Sequence, residues 1–229
     1  MKWKKFEKQF SQARLARYKA SFEVKDDPEA TERKAAAAYA HNMLLAGAIS
    51  FVLGVVDVAF RNSMDRELAA MYPQHANWWD AWQGKAVYAS EMEAIKNAID
   101  NLTRRNELCT KDKVVAELHF GFWCGLFNAK FQYTLWDKLR LGFPYCPQHL
   151  RQRNFISARL NMIRLLRNRV SHHEPLIWLT PTLAEKHLEI IETIDWFNKS
   201  DLAFWTKQYD TFPAAWNAWQ AEAKTQPVN

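Results

Sequence analysis

The stretch DPEATERKAAAAYAHNMLLAGAISFVLGVVDVAFRNSMDRELAAMYP, residues 27–73, decides the fold class. Asp27-Pro28 supplies an N-cap followed by a first-turn proline, a strong helix start. Tyr72-Pro73 supplies the stop. The helical pattern between them is long enough that a bend or break near Gly47 or Gly54 is expected. Asn42–Val56 carries no charge, but about 20 apolar residues are needed to span a bilayer, so it reads as a buried core helix with no membrane role. Periodicity near 3.6 residues continues on both sides, and no alternating strand emerges. Phe6, Phe10, Leu15 and Tyr18 line one side of a basic helix. Ser90 with Glu93 reads as a capping box for a helix reaching about Arg105. Thr110 can cap another carrying VVAELHFGFWCGLF. Residues 141–147 form a break, and a helix runs from about Gln148 to His172, ended by Glu174-Pro175. Thr180-Pro181 starts the next helix, and one or two short ones follow Ser200. Residues 224–229 look like a frayed tail.

Composition agrees. The 229 residues contain 48% apolar and 24% charged side chains, close to a soluble globular protein. Six glycines and eight prolines are too few for a turn-punctuated β-sandwich or barrel. No Gly/Ser-rich linker or internal repeat divides the chain, so residues 1–229 read as a single all-α domain. Three widely spaced cysteines, without a CxxC pair, fit neither a disulfide framework nor a thiolate zinc site. They suit a reducing cytoplasm, and MKWKKFEKQF, charged and followed by no apolar run, does not read as a secretion signal. The net charge of +6 tilts toward an anionic partner.

The charge is unevenly spread. From Lys138 to Val170 there are Lys138, Arg140, Arg151, Arg153, Arg159, Arg164, Arg167 and Arg169, and no Asp or Glu. Arginine suits bidentate phosphate contact, so the window reads as a nucleic-acid track; arginines paired with acids from elsewhere are the competing explanation. It ends in Leu166-Arg167-Asn168-Arg169-Val170-Ser171-His172-His173-Glu174-Pro175. At about 100° per residue, Asn168 and His172 share a helix face, while Arg167 and His172 are about 140° apart. They converge on one phosphate only if His172 sits in a distorted last turn or a partner closes over it. A histidine here also feels the negative end of the helix dipole, which favours the imidazolium. RNA can be cleaved without metal when its 2′-hydroxyl attacks. One group takes that proton, another protonates the leaving oxygen, and a cation neutralises the phosphorane. Histidine and arginine suit these tasks; a helix C-cap made by the histidines is the plainer alternative.

Arg167-Asn168-Arg169-Val170-Ser171-His172 matches the R-N-x-x-x-H motif of the HEPN superfamily, all-α proteins of which many are metal-independent ribonucleases. LRNRVSHHEPL, 166–176, resembles the LRNRVAHHEP signature of bacterial Abi-like (abortive infection, AbiD/AbiF-type) proteins. FSQARLARY at 10–18 resembles that family's FSxxRLxxY opening. Asp57 through Arg61-Asn62 resembles its acid-x-x-x-R-N helix, Trp78-Trp79 its WW pair, and VAELHFGFW at 115–123 its VxELSFGFW block. His119 stands where that family usually has Ser, and Ser171 where Ala is common. The resemblance implies a HEPN-like helical bundle with extra flanking helices, commonly a homodimer with paired motifs at its interface. It implies Arg167 and His172 as catalytic residues, with Asn168 orienting them, and a role in anti-phage defence by RNA cleavage. Some relatives act with a small non-coding RNA, so the basic track can hold a regulator or a substrate. A non-catalytic RNA-binding protein is the alternative.

Candidate RNA contacts are Arg61, Asn62, Arg151, Arg153, Arg159, Arg164, Arg169 and His173. Asp57 and Arg61, four apart, are expected to form a buried ion pair. Glu117 and His119 face different ways on a helix, and no HExxH, HxxxH or aspartate cluster is present, so no metal or other cofactor is expected. Trp78, Trp79 and Trp82 read as packing rather than base stacking. No glycine-rich phosphate loop appears.

Overall fold

The computed structural model describes residues 2–224, and every regular element among them is helical. The chain is all-α. It forms two compact units: the described residues within Met1–Phe51, Arg169–Glu185 and Asp210–Asn229, and those within Val52–Asn168 and Lys186–Tyr209.

The first unit opens with α1 (Trp3–Phe10) and α2 (Gln12–Ser21). The single basic helix expected here is divided at Ser11. Its backbone has φ +67°, and its hydroxyl accepts the Arg14 N–H at 3.3 Å, so it caps α2 instead of continuing α1. Asp27 and Pro28 act as their sequence suggests. The Asp27 carboxylate accepts the Ala30 N–H at 2.8 Å, and α3 (Pro28–Met71) begins at the proline. α3 is unbroken through Gly47 and Gly54, where an added Cβ would meet nothing within 4 Å. Among the described residues α3 is the one helix long and apolar enough to cross a membrane, and 39% of its most apolar window is buried. In this unit its residues Ala35, Ala38, Tyr39, Leu45 and Ile49 are buried. Tyr18 packs against Tyr39 and Trp178, with ring centroids 5.3 and 4.7 Å apart. α11 (Phe212–Lys224) closes the unit and contributes buried Trp219. Lys224 is helical, and the rest of the suspected tail lies outside the described residues.

The second unit is built around Phe60, whose ring lies 5.5, 5.7 and 6.1 Å from those of Phe120, Phe127 and Phe143. Trp78, Trp79 and Trp82 form a buried 3-10 turn, with Tyr88 stacked on Trp82 at 4.5 Å. Their role is packing. Gly142 is required by close approach: a Cβ there would come within 2.9 Å of Ser63 Oγ, which donates to the Gly142 carbonyl at 2.7 Å.

Several expected boundaries shift, each for a local reason. A 3-10 turn, Ala86–Tyr88, leads directly into α4 (Ala89–Arg104), so no Ser90–Glu93 box forms. Ser90 bonds Glu91 instead. The helix expected after Thr110 is two: α5 (Lys111–Glu117) and α6 (Phe120–Gly125). Leu118 between them is extended, and the His119 Nδ1 accepts the Phe122 N–H at 3.2 Å to cap α6. Serine is a common residue at such a position, and His119 performs the same task. After the short α7 (Trp136–Leu139), α8 (Arg153–Ser171) starts later than Gln148. Arg151 Nη2 donates to the Pro144 and Cys146 carbonyls at 2.9 and 2.7 Å, pinning the preceding loop in a non-helical path. α9 (Leu183–Phe197) begins after Thr182 rather than at Thr180-Pro181. Thr182 and Glu185 form a reciprocal capping box, with bonds of 2.7 and 3.2 Å. α10 (Asp201–Tyr209) and α11 are the short helices expected after Ser200.

Candidate functional site

The end of α8 is a Schellman turn. His173 is left-handed, with φ +52°. Its N–H bonds the Val170 carbonyl at 3.1 Å, and the Glu174 N–H bonds the Arg169 carbonyl at 2.9 Å. This motif often joins two apolar residues; here an ion pair takes their place, Arg169 to Glu174 at 3.7 Å. The cap is therefore made by the backbone, not by imidazoles bonding free carbonyls. Both histidine side chains are exposed, and no described side chain holds either. Their carbonyls are occupied: Arg14 Nη1 donates to His173 O at 2.6 Å and His172 O at 3.4 Å. Asn42, fully buried, fixes the next stretch. Its amide donates to the Glu174 carbonyl at 3.2 Å and accepts the Leu176 N–H at 2.6 Å. Arg14 and Asn42 thus hold the backbone that carries His172, and nothing in their spacing announces it. Arg14 is visible in the sequence only as one letter of the FSQARLARY block.

Arg167 and Asn168 belong to the second unit. The ion pair expected between Asp57 and Arg61 is not formed. Asp57 pairs with Arg167, Nη2 to Oδ2 at 3.2 Å, joining the acid-x-x-x-R-N block to the R-N-x-x-x-H block. Arg61 instead donates to the Ala116 carbonyl at 3.2 Å. Burial pushes the Asp57 carboxyl above its ordinary value, and the nearby Arg167 and Arg61 charges pull it back only partly. The Arg167 side chain remains 42% exposed beside this partner. Asn62 and Asn168 are exposed, and Arg164 donates to Asn161 at 3.2 Å. Cys124 lies within the field of Arg164, Asp57 and Arg167; burial pushes its thiol up to about 12, so it is no nucleophile.

The rest of the basic window divides into two kinds. Arg159 is 9% exposed and held by Glu189 at 3.1 Å and Glu192 at 2.9 Å, which makes it a support of the fold. Among the described residues Arg151 and Arg153 have neutral partners only. Arg153 donates to Gln132 at 2.5 Å and to the Phe127 carbonyl at 2.7 Å. Glu117 is occupied by Arg105 at 2.7 Å, which lowers its carboxyl. Among the described residues no group of three or more His, Cys, Asp or Glu could hold a metal ion. Comparison of the chain with family models, curated proteins and solved structures gives no match.

Proposed function

We propose that this chain is a metal-independent endoribonuclease of the HEPN, Abi-like type, a cytoplasmic homodimer that cleaves RNA in defence against phage. The observation that carries it is the R-N-x-x-x-H stretch, in which His172 is exposed with no side-chain partner among the described residues and the Arg167 side chain stays 42% exposed. In this reading the RNA 2′-oxygen attacks phosphorus as a base removes its proton. The 5′-oxygen leaves with a proton from an acid, giving a 2′,3′-cyclic phosphate and a free 5′-hydroxyl. His172 serves one of these proton transfers, and its copy in a second subunit can serve the other. Arg167 stabilises the phosphorane charge, and Asp57 and Asn168 position it. Arg61, Asn62, Arg164, Arg169 and His173 contact flanking phosphates or bases. Val58 and Leu165, exposed apolar neighbours of Asp57 and Arg164, support a face covered by a second copy.

Incubation with single-stranded RNA in EDTA tests the reading. Wild type should cut, and His172→Ala should not, while both melt at the same temperature because the imidazole is exposed. Equal cutting by both proteins removes the catalytic assignment. A second reading, a non-catalytic protein that holds a structured or regulatory small RNA, is favoured by Arg151 and Arg153, which have no ion-pair partner among the described residues. Salt-sensitive RNA binding without any cleavage would select it.

A further inference from the structure

The basic residues at the start of α8 make a site separate from the R-N-x-x-x-H stretch. A cavity of about 420 Å³ is lined by Gln132, Trp136, Arg151, Gln152, Arg153 and Asn154, with no carboxylate among them. Neither arginine has an ion-pair partner among the described residues, and both are half-buried. Partly buried charges are normally paired, because withdrawing them from water is costly. Here each guanidinium is held in place by neutral carbonyl or amide oxygens, Pro144 and Cys146 for Arg151 and Phe127 and Gln132 for Arg153. The Arg151 Nε is buried without a hydrogen-bond partner. At the same place the 19-residue α8 begins. Its first turn carries no acidic residue. Two anchored guanidiniums with no carboxylate partner among the described residues, and the positive end of a helix dipole, meet at one cavity.

We propose that this cavity is a phosphate-binding site. The arginines supply charge and fork-shaped donors, and the α8 amides supply directed hydrogen bonds. Trp136 and Asn154 line the same space, so a nucleotide carrying that phosphate fits the chemistry as well as the free ion. The site does not depend on nuclease activity.

The test uses the full chain and inorganic phosphate, with sodium chloride matching ionic strength. Calorimetry should detect one phosphate per chain, and phosphate should raise the melting temperature where chloride does not. Asn154→Glu places a carboxylate at the cavity in the first turn of α8. It should melt no lower than wild type, since an acid there suits the helix dipole, yet bind phosphate at least about tenfold more weakly. Asn154→Gln should bind like wild type. A short RNA with no terminal phosphates separates the sources: competition with phosphate identifies a nucleic-acid backbone, and binding of phosphate without competition identifies a free phosphate. Either supports the site. His172→Ala should bind phosphate unchanged even where it cuts no RNA, so the two readings fail separately. Equal affinity of Asn154→Glu and wild type, or no phosphate effect beyond chloride, overturns the proposal.

Discussion

The two ends of α8 carry the same residue type in opposite electrostatic settings. Around its start, Arg151 and Arg153 are anchored by neutral oxygens. Along its later turns, Arg159, Arg167 and Arg169 each meet a carboxylate, from Glu189 and Glu192, Asp57 and Glu174 respectively. A window free of acids in the sequence is therefore not free of acids in space. Near the start no described carboxylate pairs with the arginines, while the later ones are positioned by their acidic partners. Positioning is what catalysis asks of an arginine, and uncompensated charge is what anion binding asks.

Arg167→Gln is the strongest probe of that contrast. It should lower RNA cleavage about 100-fold or more, since one group stabilising the transition-state charge is typically worth that much. Arg153→Gln should change the cleavage rate constant only a few-fold. Equal losses in single-turnover assays would erase the distinction between the two ends. Arg159→Met should lower stability by about 2 kcal/mol, the scale of a charge-assisted hydrogen bond, with RNA affinity unchanged. A shifted denaturant midpoint checks the first part and a binding titration the second. Loss of RNA affinity without loss of stability would return Arg159 to the RNA-contacting group.

Asp57→Asn addresses pH. Burial raises the Asp57 carboxyl, so protonation to the neutral form is easier in the folded chain than in the unfolded one, even beside Arg167. The stability from that neutral form is fully present below the unfolded value, about 3.9, and is lost as pH rises through the higher folded value. Asp57→Asn should flatten this part of the pH dependence of stability and leave the native chain no less stable at neutral pH. A steeper fall with rising pH in the variant would reverse the sign. The smallest effect is expected for Arg164→Ala, whose guanidinium bonds no side chain but Asn161 among the described residues. RNA affinity should drop a few-fold, with the salt slope reduced by about one.

What the sequence made legible follows from distance along the chain. Asp27-Pro28 and Thr110 were readable as caps because a cap is decided within four residues. Ser11 was not, because helix-forming residues flank it on both sides, although its φ of +67° and its bond to the Arg14 N–H divide the helix. The start of α8 was misplaced because the loop before it is held by Arg151 reaching back to two carbonyls. The R-N-x-x-x-H stretch stands out because its residues are contiguous. Their partners do not: Asp57 is 110 residues before Arg167, and Arg14 is 158 before His172. The Asp57–Arg61 spacing pointed to a local pair, but Arg61 finds the Ala116 carbonyl and leaves Asp57 to Arg167.

The central claim is that RNA supplies its own nucleophile and the chain needs no metal. The most direct measurement uses one RNA strand and its counterpart with a single 2′-deoxy sugar at the cleaved position, both in EDTA. The account predicts that the RNA is cut to a 2′,3′-cyclic phosphate and a 5′-hydroxyl, and that the deoxy strand stays intact at that position. Cutting of the deoxy strand at an equal rate, or activity restored only by a divalent cation, would contradict it.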